Sequence, residues 1–474
     1  MPSPLSPPLL PVELKWSIID HVRAFSDNDT LATLALVCRA FRRRVNYHRF
    51  RTVKIRDIND IRPTYRLLTN DCIWSSPHER LNAHVNLFEV KMLNSKKYFK
   101  RRCVLTSNSS KLEFIFHNIF QTYSSDIDQS SNVSLSFTWD VRIWNPRSDE
   151  KDRLDWTNLG LGLQSAFRTM LRHPHLDRLK ICALENVPRD LIRESPINNL
   201  QFSEVGFSRD LGAFQHEGIL SGWHLQHLTR LVIDHSTPFV ELIGLDVYGA
   251  ESPTIVFPRL QALTSCVCDE MQYEMTVAVM QRARNVQHLS LAVLEPGKLP
   301  KEFPYTQLQK LETLCLVSGG TLRPFAQNYQ RTVRDIITPL LPSIPPIRHL
   351  EIHIAIASTS SLVLENEAIF KGHDFSALDN FLGKSSPPSL ETLKVRLTIE
   401  VFGSSNWWKM KDFLEREGGE YVQSVCFPKL AKMMSPVLMV GIDVDLDFDI
   451  PEEYFSNDLI YEWNNELSLN ATVG

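Results

Sequence analysis

The chain has 474 residues, of which 43% are hydrophobic and 22% are charged, and its net charge is −4 at pH 7. This charge argues against broad electrostatic binding to nucleic acid or to anionic lipid. No apolar run approaches the roughly 20 residues needed to cross a bilayer, and the Pro-rich start, residues 1–9, has no basic region typical of a secretory signal. We therefore expect no nucleic-acid or membrane partner, and a protein of the cytoplasm, the nucleus or both.

Residues 10–50 contain the first helical pattern. Apolar residues recur every fourth position on one face of a predicted helix, with Ile19 beside them: Leu10, Leu14, Ile18 and Val22. A capping box at Ser26 and Asp29 precedes a second apolar run that keeps helical spacing to Val45. About forty residues bury too little surface to be stable alone. The segment is therefore expected to pack on the rest of the chain or to share a core with another protein.

This segment contains two short motifs. Leu10-Pro11 with Glu13-Leu14 reads LP-x-E-L, and Val37-Cys38-Arg39 with Phe41 reads V-C-[RK]-x-[WF]. Together these motifs resemble the F-box. A Trp that is common late in the family is Phe41 or Phe50 here. The resemblance implies three short helices that bind the Skp-type adaptor of a cullin ubiquitin ligase. The residues it assigns to adaptor binding are Leu10, Pro11, Leu14, Ile18, Ile19, Leu34, Val37, Cys38 and Phe41.

The region from residue 42 to residue 158 is less regular. The basic run between Arg42 and Arg51 is interpreted as a solvated helix face and loop, with a nucleic-acid contact as the alternative. Alternating apolar residues predict strands at 53–55, 85–90 and 133–139. Residues 140–158 are heavily charged and predict an exposed loop.

A repeat becomes clear after residue 159. Residues 159–172 predict a helix, and an L-x-x-L-x-L spacing then recurs, with units that begin at Leu176, Ile197, Leu228, Leu260, Val286, Leu311, Ile347 and Leu390. The starts are separated by 21 (176 to 197) to 43 (347 to 390) residues. The second and third apolar positions of a unit lie on one side of a strand, and helical spacing at 271–283 and 329–341 lies between units. Stacked strand–helix units can bury an apolar face that a single unit cannot.

These units resemble the leucine-rich repeats that are often joined to F-boxes. The resemblance implies an α/β fold, in which a short N-terminal helical F-box precedes an irregular leucine-rich-repeat-like solenoid of strand–helix units. The predicted domains are a tail (1–9), the F-box-like module (10–50), a linker with the first irregular repeats (51–158), and the solenoid with a C-terminal cap (159–474). The polar Asn or Cys expected after each unit survives only as Cys268, so hydrophobic stacking should join the units. The alternative is a non-repetitive α/β domain.

Strand residues between the core positions are expected to face a binding groove. The candidates for target binding are Lys180, Asp234, Glu351, His353, Lys394 and Arg396.

Alternating aspartates between Asp443 and Asp449 suggest a calcium loop. However, Phe448 occupies the position where such a loop needs a glycine for its turn, and Tyr454 the position where it needs a bidentate glutamate. We therefore predict an amphipathic strand there, and a helix at 409–415.

No catalytic motif is evident. Walker A, GxGxxG, GxSxG and HExxH sequences are absent, the eight cysteines include no CxxC pair, and Cys266-Val267-Cys268 lacks a second pair for zinc. His173-Pro174-His175 is interpreted as a helix end rather than a metal site. We expect no catalysis, cofactor or metal.

Two functions fit these patterns. The first is a substrate-recognition subunit of a Skp–cullin–F-box ligase, which binds the adaptor, and through it a cullin, by its N-terminal helices and an unknown target protein by the solenoid. The second is a non-ligase interaction scaffold in which the helices only cap the solenoid. A hydrolase hidden in the repeats is a third interpretation.

Overall fold

The structure is a computed structural model. The residues it describes are 10–25, 28–56, 58–69, 85–93, 103–121, 135–144, 151–192, 195–206, 208, 225, 227–234, 257–267, 269–293, 303–318, 346–359, 375–385, 389–402, 412–413, 416–417, 419–432 and 439–449. The chain forms two compact units, Met1–Gly218 and Ile219–Gly474. Both have α/β architecture, and the predicted divisions after residues 9, 50 and 158 stay predictions. Within the described ranges, no helix is both long enough and apolar enough to cross a membrane.

Three helices open the first unit: α1 (Val12–Phe25), α2 (Asn28–Leu34) and α3 (Arg39–Phe50). The apolar run predicted to keep helical spacing from Leu31 to Val45 is in fact divided between α2 and α3. The N–H of Val37 donates to the carbonyl of Leu34 (3.1 Å), which closes a tight turn. Cys38 then adopts an extended backbone (φ −160°) before α3 begins. Of the predicted capping box, Ser26 lies outside the described residues.

The rest of the first unit is a mainly parallel sheet with helices. Its elements are β1 (Thr52–Ile55), α4 (Ile58–Thr69), β2 (Leu87–Leu93), α5 (Cys103–Gln121), β3 (Leu135–Trp144), β4 (Lys151–Asp155), α6 (Leu161–Leu171), β5 (Leu176–Cys182), β6 (Leu184–Glu185) and β7 (Asn199–Ser203), with 3-10 turns at Trp156–Asn158 and Arg189–Ile192. The parallel order is β1-β2-β3-β5-β7. The strands predicted near residues 53, 88 and 137 and the helix predicted at 159–172 are confirmed.

Aromatic side chains form the core of this unit. Phe116 on α5 packs edge-on against Phe88 of β2 (5.2 Å between centroids) and Phe137 of β3 (5.3 Å). Phe167 on α6 contacts Trp139 at 5.0 Å. All five side chains are at most 1% exposed, so α5 and α6 are held on the sheet by interlocking rings, which favour such edge-on contacts.

The exposed loop predicted at 140–158 is wrong for the residues the structure describes there. Strand β3 continues to Trp144, and β4 pairs antiparallel with it, Arg142 opposite Arg153. Val141, Leu154 and Trp156 are buried. The reason is alternation: apolar residues spaced among the charged ones point inward once the strands pair.

The described part of the second unit is built on seven parallel strands. Its elements are β8 (Arg230–Asp234), β9 (Ala262–Val267), α7 (Glu270–Arg282), β10 (His288–Val293), a 3-10 turn (Tyr305–Gln307), β11 (Thr313–Ser318), β12 (His349–Thr359), α8 (Ser376–Ser385), β13 (Thr392–Phe402), a short helical segment (Gly419–Tyr421) that runs into a π-helical turn (Val422–Cys426), α9 (Pro428–Lys432) and β14 (Met439–Asp449). The strands are ordered β8 to β14 as in the sequence. The helix predicted at 271–283 is confirmed by α7, and the strand predicted at 443–449 by β14. The helix predicted at 329–341 lies outside the described residues, and of the helix predicted at 409–415 the structure describes only Asp412 and Phe413, which are helical.

Within each compact unit of the chain, equivalent positions of the predicted repeats lie side by side. In the second unit, the middle apolar positions form one register column: Leu231, Leu263, Leu289, Leu314, Leu350 and Leu393. In the first unit Leu179 pairs with Leu200. All eight side chains are at most 2% exposed. Each predicted unit therefore contains a strand, aligned in register with the next strand of its own sheet.

The strand exits at β5 and β7 repeat the same backbone geometry. Ala183 and Glu204 each follow the strand's last residue and have positive φ (52° and 55°), a conformation that disfavours residues with a Cβ. The N–H of Ala183 donates to the carbonyl of Ser203 (2.9 Å). Leu184 and Val205, which replace the polar residue of a regular repeat, are fully buried. At these two exits hydrophobic burial replaces the polar ladder, as predicted.

Candidate docking surface

Helices α1 to α3 enclose a small core of their own. Ile19, Leu31, Ala35 and Val45 are buried together, with Val22, Leu34 and Phe41 packed around them. On α1 the inward face is therefore the one that contains Ile19 and Val22. This small cluster holds the three helices together.

An ionic cluster joins α1 to α3. Arg44 donates two hydrogen bonds to the Asp20 carboxylate (2.7 and 2.6 Å), and His48 Nε2 lies 2.6 Å from the same group. The Arg44 guanidinium also lies over the Tyr47 ring at 5.0 Å from its centroid. The hydrogen bonds from Arg44, in spite of partial burial, lower the pKa of Asp20 to about 2. Part of the basic run predicted as a solvated face thus holds α3 against α1.

Beside the buried face of α1, and in the turn after α2, large apolar side chains are exposed to solvent. Leu14 is 53% exposed, and in the turn after α2 Leu36 is 78% and Val37 64% exposed. Leu10, Val12, Trp16 and Ile18 are also exposed. We call these seven residues the apolar docking face. A set of large apolar side chains in water is unfavourable by about 25 cal/mol for each Å² that could be buried, and extended apolar patches on monomers typically mark interaction sites.

The nine residues predicted to bind an adaptor divide into three groups. Leu10, Pro11, Leu14, Ile18 and Val37 are exposed; Leu34, Cys38 and Phe41 are half-buried; Ile19 is fully buried. Ile19 therefore supports the helices from inside and presents no surface to a partner.

Three exposed residues of this face were missed. Val12, Trp16 and Leu36 fall outside the i, i+4 series that was read from the sequence. Leu36 could have been identified from the sequence because it directly precedes Val37, a residue of the second motif.

A second candidate surface lies on the side of the β8–β14 sheet opposite the buried leucines. Glu351 and His353 on β12 stand beside Lys394 and Arg396 on β13 in register, and all four are half-buried. Asp234 on β8 lies four strands from β12, which is about 19 Å. Lys180 is half-buried on β5 of the first unit. The structure thus brings together four of the six predicted target-binding residues.

Cys315 of β11 adds a thiol to this surface, and sequence reasoning missed it. It is the register partner of Ser290 and of Glu351. Burial, with the Glu351 carboxylate nearby, raises the pKa of the Cys315 thiol, whereas a hydrogen bond with Ser290 and the charge of Arg396 act in the opposite direction. The Glu351 carboxylate accepts a hydrogen bond from His353 Nε2 (2.8 Å) and lies 3.9 Å from Lys394 Nζ. Because Cys315 stands between Leu314 and Leu316, it reads as a core residue.

The motifs His173-Pro174-His175 and Cys266-Val267-Cys268 each have a residue that is buried in the fold. His173 follows α6 and is buried, and its ring packs 6.1 Å from that of Phe120. Burial and the charge of the nearby His175 lower the pKa of His173 to about 4. Cys266 is buried on β9, and Cys268 lies outside the described residues.

The side chains of the apolar docking face suit association with another protein. Those of the β11–β13 surface suit polar contacts or metal binding. The F-box and repeat resemblances rest on the residues quoted for them. No family model matches the chain, and no curated protein matches it in sequence.

Proposed function

We propose that this protein is the substrate-recognition subunit of a Skp–cullin–F-box ubiquitin ligase. In this proposal the apolar docking face binds the Skp-type adaptor, the adaptor links the chain to a cullin, and the parallel-strand units hold a target protein. The single observation that carries it is the exposure of Leu14, Ile18 and Val37 in a segment with the F-box motifs. The assembly would act in the cytoplasm, the nucleus or both.

The arrangement of α1 to α3 supports this proposal on physical grounds. The small core around Ile19 and the Asp20–Arg44 ion pair fix the helices against each other, so the apolar docking face is presented without first having to fold. A preorganised face avoids the entropy cost of ordering on association. Burial in an adaptor groove would remove from water the side chains that the chain itself leaves exposed.

The parallel-strand units support a target-binding role. Strands aligned in one register, with leucines on one side and a mixture of polar and small apolar residues on the other, are consistent with an irregular leucine-rich-repeat-like solenoid. Such arrays present long surfaces to other proteins. The chain would do no chemistry itself: by holding the target close to the ligase it would raise the effective concentration of the target's lysines.

The scaffold alternative predicts a different environment for the apolar side chains of the three helices. If residues 10–50 served only as a cap, their apolar side chains would be covered by the neighbouring strands, with no free apolar patch. The exposure of Leu14, Leu36 and Val37 argues against the hypothesis that these helices act only as a cap.

The test is reconstitution with the purified full-length chain. A Skp-type adaptor and a cullin are added, and size-exclusion chromatography is expected to give one complex containing all three proteins. Ile18→Asp places an unpaired carboxylate in the apolar docking face and should remove the complex, whereas Leu161→Asp, at an exposed leucine at the start of α6, should not. If the unmodified chain fails to bind the adaptor, or if Ile18→Asp binds as well as wild type, the ligase proposal is rejected.

A further inference from the structure

We infer that Cys315, Glu351 and His353 form a binding site for one divalent transition-metal ion of the zinc class. The site lies on strands β11 and β12, on the side of the sheet opposite the buried leucines. It is a departure from the sequence-based expectation of no metal. It is independent of adaptor binding, which involves a different part of the chain.

The parallel register brings the three ligands together. Cys315 and Glu351 are direct partners across β11 and β12, and His353 lies two residues beyond Glu351, so it projects from the same side of β12. The Cys Sγ, one carboxylate oxygen and one imidazole nitrogen all lie within 4.8 Å of one another. Within the described ranges, these are the three side chains that meet this geometry with a thiol among them.

The donor set selects the metal. Thiolate and imidazole are ligands that Zn²⁺ and Co²⁺ accept and that Ca²⁺ and Mg²⁺ avoid. Bonds of about 2.0–2.3 Å in a tetrahedral site place neighbouring ligand atoms roughly 3.5 Å apart. The ligand atoms of Cys315 and Glu351 lie within 4.8 Å of each other, and His353 Nε2 lies 2.8 Å from the Glu351 carboxylate. Side-chain rotations that move these atoms by about 1 Å would therefore bring them to tetrahedral spacing. All three residues are half-buried, which leaves a fourth position open to water or to a bound protein.

Two basic residues, Lys394 and Arg396, oppose the binding of a cation here. Lys394 Nζ lies 3.9 Å from the Glu351 carboxylate and its side chain is 38% exposed, so it can turn into solvent when a metal takes its place. Arg396 acts on the Cys315 thiol through its charge. Lys394 is thus a competitor of the metal, and its removal should tighten binding.

The experiment uses the purified full-length protein after treatment with a chelator. Titration with Co²⁺ is expected to reach one equivalent per chain and to produce a thiolate-to-cobalt charge-transfer absorption in the near ultraviolet. Zn²⁺ should then displace Co²⁺ and abolish this absorption. Circular dichroism of each variant shows whether it is folded.

Matched variants separate this site from other thiols. Cys315→Ser should remove the absorption, and Cys315→Ser, His353→Ala and Glu351→Gln should each weaken Zn²⁺ binding by more than about tenfold. Lys394→Met should strengthen it. Cys266→Ser, on β9 three strands from β12 (about 14 Å), should leave both unchanged.

Several results would overturn the inference. One is a wild-type protein without the charge-transfer absorption at one equivalent of Co²⁺. Another is the same absorption in folded Cys315→Ser, or its loss in folded Cys266→Ser. If Cys315→Ser does not fold, Glu351→Gln decides the question, since unchanged Zn²⁺ affinity in that variant is incompatible with the site.

Discussion

Leu14 offers the sharpest test of the apolar docking face, because its exposed fraction sets the size of the effect. A leucine that becomes fully buried contributes about 1.5–3 kcal/mol. Since 53% of Leu14 is still exposed, covering the remainder in a complex contributes about 0.8–1.6 kcal/mol. Leu14→Ala should therefore weaken adaptor binding by roughly 4- to 15-fold. Leu14→Asp should weaken it by more than about 100-fold, because an unpaired carboxylate would also lose its hydration in the interface.

The assay is the equilibrium dissociation constant of the full-length chain for a Skp-type adaptor, measured by calorimetry. Leu161→Asp is the matched control, since Leu161 is 83% exposed on the first turn of α6, where an acidic side chain is favourable. Both Asp variants should unfold at the temperature of the wild type, because neither site is in a core. If Leu14→Asp binds within about twofold of wild type, or if Leu161→Asp loses as much affinity, the reasoning from exposure is refuted.

The remaining predictions concern stability. Ile19→Ala should lower the free energy of unfolding of the three-helix module by about 2–5 kcal/mol, because Ile19 is fully buried; amide exchange in α1–α3 measures it, and unchanged protection would contradict the small core. His173 has a folded pKa of about 4, below its unfolded value of 6.5, so its contribution is present above pH 6.5 and is lost as the pH falls towards 4, by up to about 3 kcal/mol. Urea unfolding at several pH values should show this slope, and His173→Asn, which keeps a hydrogen-bond acceptor, should flatten it; an equal slope in both proteins would exclude His173 as its source. Asn186 has positive φ (53°) and donates to Asp155 (2.6 Å). Asn186→Ala should lower the free energy of unfolding by about 1–2 kcal/mol, more than Asn186→Gly in the same urea titration, because glycine tolerates this backbone; the reverse order would contradict the argument.

Much of the strand pattern could be predicted from the sequence because its physical cause is local. In seven of the eight units two apolar residues two apart need only alternate to face one side, and in the unit that begins at Leu260 the last position is Ser265. All eight predicted units contain a strand. The segment 140–158 was mispredicted for a complementary reason. Its charges outnumber its apolar residues, but Leu154 and Trp156 are enough to fix it on the core once β3 supplies a pairing partner. Pairing between distant residues cannot be read from composition.

The candidate sites show the same limit. Helical spacing placed Ile18 and Ile19 together, but neighbouring residues on a helix point about 100° apart, and only packing decided that Ile19 lies inside and Ile18 outside. The cluster at Cys315 depends on β11 and β12 being adjacent and in register, over a separation of more than thirty residues. Leu314 and Leu316, which flank Cys315 in the sequence, do not indicate that Glu351 lies beside it.

The aligned leucine column has a consequence for how the protein tolerates change in length. Because Leu289, Leu314 and Leu350 occupy one level of the sheet, each strand presents the same interface to both neighbours. The connections between them differ in length without disturbing that level. Loss or duplication of a whole segment from one leucine to the next would therefore rejoin compatible edges, whereas removal of a single residue within a strand would turn its hydrophobic side towards water. Evolution of such a chain should proceed in steps of whole strands, and its variable lengths should collect where the chain crosses from one strand to another.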